Sequence, residues 1–230
     1  MSLRLLALLA LAPTLGAADA KPASPPATLL AQPVAPLVVD ALTAGSEMGR
    51  WLSTKGKWER RPDGLRGEEV EADKHNAVNR LGQPLGDFVF ACEFRFDGAK
   101  GFSFSVNDPK EHLTRVLLTP TSFTARKDDR DKKGPDVAVI YRTETVKLDP
   151  GTWHSLVVEM VGDTFVATLD GKVTAVGTHE LFRGPKVSPG FTVDGAAATF
   201  RNVAVWSARP EPKPDWKARR DALAGATSAK

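Results

Sequence analysis

Apolar and polar residues alternate most strictly in residues 88–96, FVFACEFRF. Phe88, Phe90, Cys92, Phe94 and Phe96 fall on one face there, and Val89, Ala91, Glu93 and Arg95 on the other. A period of two is the mark of a strand, because successive side chains of a strand project to opposite faces of its sheet. Five apolar side chains on one face predict burial against an opposing sheet, each large one contributing about 1.5–3 kcal/mol. The alternation returns in residues 101–106, where Phe102, Phe104 and Val106 oppose Ser103 and Ser105. Residues 114–118, 122–125, 137–142, 144–147, 190–193 and 198–206 are the further strands this pattern predicts.

Between these runs stand turn signals rather than helical connections. Asp149-Pro150-Gly151 precedes a β-rich run at 157–161, Gly162-Asp163 breaks it, and 164–169 resumes before Asp170-Gly171, a pair suited to the positive φ angles of a two-residue hairpin. Pro62-Asp63-Gly64 is another hairpin signal. No repeat of 20–50 residues is present. The expectation is an all-β chain of antiparallel strands. Trp58, Trp153 and Trp206 are expected to pack in its core at strand ends, His154 to begin a strand with the parity of Leu156 and Val158, and Cys92 to be buried.

The ends differ in character. Residues 1–20 carry Arg4, an apolar run and a small-residue exit at Ala18-Asp19-Ala20, the layout of a secretory signal peptide. That run is too short for an ordinary membrane span. Residues 21–36 are rich in Pro and Ala and read as an extended linker, 37–207 as one domain, and 208–230 as a Pro-rich tail whose Asp215 caps a short helix reaching Leu223. The expected location is periplasmic or secreted. A single cysteine excludes an intramolecular disulfide, and a net charge of +3 without a basic motif argues against nucleic acid.

The segments GKWERRPDGLRG, FVFACEFRF, LDPGTWHSLVVEMVGDTFVATLDGK and ATFRNVAVW, in that order, resemble the 3-keto-disaccharide hydrolase family, within the laminin-G-like and concanavalin A-like jelly rolls. The resemblance implies an antiparallel two-sheet jelly-roll sandwich and a carbohydrate ligand. It also implies cleavage of glycosides oxidised at C3, whose ketone acidifies the C2 proton so that a base can remove it and the aglycone can leave. Such a site needs a base and a group that stabilises the enolate. Glu93 and Arg95, on the charged face of their strand, are the catalytic candidates, with His75, Trp51 and Tyr141 as substrate contacts. The alternatives are a noncatalytic glycan-binding module and a structural envelope module.

The four histidines lack zinc-site spacing, and no cofactor is called for, while a divalent metal stays open. Residues 126–136, RKDDRDKKGPD, read as a solvated charged turn.

Overall fold

The computed structural model describes residues 24–46, 50–129, 134 and 136–228. The signal-peptide reading of residues 1–20 lies outside the described residues. The strands are β1 (Ala31–Asp40), β2 (Trp51–Lys55), β3 (Lys57–Arg61), β4 (Gly64–Glu68), β5 (Ala77–Leu81), β6 (Phe88–Asn107), β7 (His112–Thr119), β8 (Ser122–Lys127), β9 (Val139–Thr145), β10 (His154–Val161), β11 (Thr164–Leu169), β12 (Val173–Thr178) and β13 (Val187–Pro210). One helix, α1 (Trp216–Ser228), follows them.

Strands β6 and β13 are long enough to serve both layers of the jelly-roll sandwich. In the first layer the order is β12-β11-β10-β6-β13, and β13 continues sideways to β4 and β3 at one level and to β1 at another. In the second layer β9-β8-β7 reach the far half of β6, which pairs with the near half of β13 and then with β5 and β2. All these pairings are antiparallel. Both long strands fold over between the layers, where Gly98 and Gly195 take φ of 101° and 80° and the register slips. Only glycine adopts such angles at little cost. The rings of Phe90 and Phe104, both on β6, therefore stack at 4.1 Å, and those of Phe191 and Phe200, both on β13, at 3.9 Å. These rings form the centre of the core, with every inward Phe of β6 buried.

The start of the domain lies earlier than the linker reading places it. From Ala31 the Pro-rich segment is strand β1, paired with β13 from Pro210 to Val203. Pro33 and Pro36 are tolerated because β1 bonds to a neighbour along one edge. Leu30 is fully buried, and Glu159 of β10 accepts the N–H groups of Leu29, Leu30 and Ala31 at 2.8, 2.9 and 2.7 Å. Helix α1 closes over this corner, its Trp216 Nε1 donating to Leu30 O at 2.6 Å while Trp216 and Leu223 pack against Leu30, Val166 and Val176. Among the described residues no helix is long and apolar enough to cross a membrane.

The charged run at 126–136 departs from the solvated-turn expectation. Lys127 ends β8 fully buried, paired with Asp136 and donating to Val137 O at 2.9 Å. Asp128 is buried too, between Arg115 and Arg126.

Candidate functional site

Glu93 and Arg95 share a face of β6, as the alternation requires, but they do not act on each other. Glu93 lies across from Arg201 of β13 in the register and accepts from its Nε at 2.5 Å and from Asn202 Nδ2 at 2.9 Å. Arg95 donates to Asp97 at 2.7 Å and to Asp63 at 2.9 Å. Trp153, expected in the core, instead lies on this outer surface beneath both guanidinium groups, 4.7 Å from Arg95 and 3.9 Å from Arg201. Each charge here is matched by its neighbour.

Neither aromatic expected at the substrate offers an open ring. Trp51 is 5% exposed and stacks on Phe191 at 5.7 Å, facing the core. Tyr141 is half-buried with its ring flat on Gly177, where a Cβ would come within 2.3 Å of it, and burial raises the phenol's pKa. Cys92 is buried and its thiol is likewise pushed up, by burial first and then by the Glu93 charge, so it is no nucleophile.

The fifth residue, His75, lies on the rim of a groove of about 600 Å³ on the outer face of the second layer. Strand pairing explains the floor of this groove. Arg80 of β5 pairs with Gly190 of β13, Gly190 with Ser105 of β6, Ser105 with Arg115 of β7, and Arg115 with Arg126 of β8. Residues directly paired point to the same face, so one row across five strands carries three arginines, a serine and a glycine. Gly190 leaves the gap through which Arg80 reaches across: a Cβ there would lie 2.3 Å from Asn79 O and 3.1 Å from Arg80 Cδ. The Arg80 guanidinium donates to Ser105 Oγ and, at 3.3 Å, to Thr192 Oγ1. Lys55, His75, Glu111, His112 and Asp129 stand around this floor.

Burial and the charge of Arg115 lower the Arg80 pKa to about 10, which leaves it charged at neutral pH. Burial also holds the His112 pKa down, reinforced by Arg115 and Arg80, against the weaker pull of Asp128 and Glu111. His112 Nδ1 lies 2.8 Å from Asn107 Oδ1. An amide oxygen only accepts, so Nδ1 carries the proton and Nε2, 4.0 Å from Glu111 Oε1, carries the lone pair. Among the described residues no three His, Cys, Asp or Glu side chains converge as a metal site.

Sequence reasoning reached the polar face of 101–106 and His75, but it missed Arg80, Arg115 and His112. The available signal was the Ser103/Ser105 pair, small polar residues on the outer face of an otherwise aromatic strand.

No protein family matches the chain, and no curated protein matches it. Solved structures do. A carbohydrate-binding module of family CBM66 from Bacillus subtilis superposes with a TM-score of 0.56 at 19% identity, over 70% of this chain and 98% of that one. A Bacillus subtilis protein of unknown function with a galectin-like fold superposes at 0.56 and 14%, over 77% and 98%. A Bacillus licheniformis β-glucanase does so at 0.52 and 10%, over 76% and 99%. The fold is a jelly roll. At these identities the likeness is one of architecture, and the chemistry rests on the chain's own side chains.

Proposed function

We propose that this chain is a carbohydrate-binding jelly-roll domain whose saccharide site is the groove floored by Arg80, Thr192 and Arg115. One observation carries the reading: a groove of about 600 Å³ crosses a sheet face whose side chains are hydroxyls and guanidinium groups. That volume lies within the range of small-molecule sites, and such donors suit the hydroxyls of a sugar. The likeness to a carbohydrate-binding module and to a glucanase supports it. The test is calorimetric titration of the full chain with a panel of oligosaccharides. Binding should fall at least tenfold in His112→Ala and stay within twofold in Glu93→Gln. The reverse pattern would move the site to the opposite sheet.

Cleavage of a 3-keto-glycoside is the second reading, favoured by the Nε2 lone pair of His112, whose pKa burial and two neighbouring arginines hold down, in a groove that also carries those arginines. His112 would take the C2 proton, and the guanidinium groups would stabilise the enolate. In this reading purified protein releases aglycone from a 3-keto-glucoside and leaves the unoxidised glucoside intact. His112→Gln should remove that activity. Retention by His112→Gln with loss in Glu93→Gln would return the base to the Glu93/Arg95 face.

A further inference from the structure

We infer that the groove selects saccharides carrying an anionic substituent, a carboxylate or a sulfate ester, which Arg80 grips with its guanidinium fork. The inference rests on the reading of the groove as a saccharide site and names the class of sugar it takes.

The cations buried elsewhere have acids beside them. Arg60 is paired with Asp40, Arg142 with Glu144, Lys127 with Asp136, and Lys186 with Asp87. Arg80 differs. Among the described residues no carboxylate lies within ion-pair distance of it, and its partners are two neutral hydroxyls, Ser105 Oγ and Thr192 Oγ1. Arg80 is partly shielded from water at the groove floor, and a guanidinium shielded without a counter-charge carries a desolvation cost that falls when an anion arrives. Arginine has five N–H donors in a planar fork that matches two oxygens of a carboxylate or sulfate, so the donors left over by two hydroxyls can engage such a group.

Three further features agree. Gly190 is bare because a side chain there would collide with Asn79 and Arg80, so the floor keeps space where the fork lies. Arg115 stands three strands away in the same row and shares the one buried carboxylate of Asp128 with Arg126, so the row keeps a net positive charge that draws an anion toward Arg80. Among the described residues no Phe, Tyr or Trp ring lines the groove, so a neutral sugar would lack the stacking platform that aromatic faces provide. The acids Glu111 and Asp129 also line the groove.

The experiment titrates the full chain with oligogalacturonate and hyaluronan fragments, with their carboxyl-reduced counterparts, and with a chondroitin sulfate fragment and its desulfated form. At least one acidic fragment should bind at least tenfold more tightly than its neutralised counterpart, and the preference should weaken as salt rises. Loss on carboxyl reduction identifies a uronate, and loss on desulfation identifies a sulfate ester. Arg80→Met, with folding checked by circular dichroism, should abolish the preference, and Arg80→Lys should keep only part of it. Equal binding of acidic and neutralised forms by the unaltered protein overturns the inference and leaves the groove as a site for neutral sugar. A preference that survives in folded Arg80→Met overturns it as well. Absence of binding to every fragment, acidic or neutral, overturns the saccharide reading with it.

Discussion

Three backbone N–H groups aim at the carboxylate of Glu159, and they belong to the segment that begins the domain. Removing the acceptor leaves those donors in a place closed to water, where each unsatisfied group costs about 1–3 kcal/mol before relaxation. Glu159→Ala should therefore lower stability by about 2–4 kcal/mol, read from the midpoint of urea unfolding. Gly190→Ala tests the arginine row. Its Cβ would meet backbone at 2.3 Å, so β5 must give way. The expected cost is about 1–3 kcal/mol, as for overpacking in general, together with weaker binding in the groove. Little of that row was legible in the sequence. Arg80, Gly190, Ser105 and Arg115 lie on four separate strands, and only the pairing register sets them side by side. Glu93 shows the same limit from the other side: alternation places it on one face with Arg95, but the cross-strand neighbour Arg201 decides what it touches, while Arg95 turns to Asp97 two residues along its own strand and to Asp63 of a distant turn.

At the scale of elements, local rules were legible wherever structure is local. The Asp170-Gly171 hairpin has φ of 50° and 64° at its two residues, as its sequence predicts. The five inward residues of 88–96, the first half of β6, are all buried. Strand β1 was illegible because proline argues against a sheet unless the strand is known to lie on an edge, and that depends on β13, which lies far along the chain. Helix α1 was legible as a helix, yet its role was not. It stands over Leu30, Val166 and Val176, and its Arg219 donates to Leu29 O at 2.8 Å. A chain ending at Pro210 should still fold, and it should exchange the Leu30 and Ala31 amide protons at least tenfold faster by hydrogen-exchange mass spectrometry, because the cover over that corner is gone.

For the molecule as a whole, pH acts through a few groups. Asp40 is pushed up by burial, but the Arg60 fork and the Leu42 N–H outweigh this and hold its pKa below the usual carboxylate range. In Asp97, Arg95 and Thr199 likewise outweigh burial. A carboxylate whose folded pKa lies below its unfolded value contributes stability above the unfolded value and loses it as pH falls through the folded one. His112, lowered chiefly by burial, adds a loss that begins near its unfolded value of about 6.5, because the unfolded chain takes the proton first. Glu159, raised by burial, runs in the opposite direction, its contribution being lost as pH rises. The lowered groups, which also include Glu59 and Glu211, outnumber Glu159 and predict a fall in melting temperature between about pH 6.5 and the acid range of the carboxylates, measurable by calorimetry.

The two folded-over strands also bear on how the chain comes together. Phe88 pairs with Ser207 and Asn107 with Val187, so β6 must wait for partners that lie far along the chain. Contacts between distant segments have to close large loops before they repay the entropy, which places this domain among the slow folders. During synthesis the Phe-rich β6 is made long before β13, and until then its apolar face and unpaired edge are open to other chains. The same arrangement leaves no plane along which the layers can part, since each long strand belongs to both. The domain should therefore be lost in a single cooperative step, and its exposure to aggregation should fall before folding rather than after it.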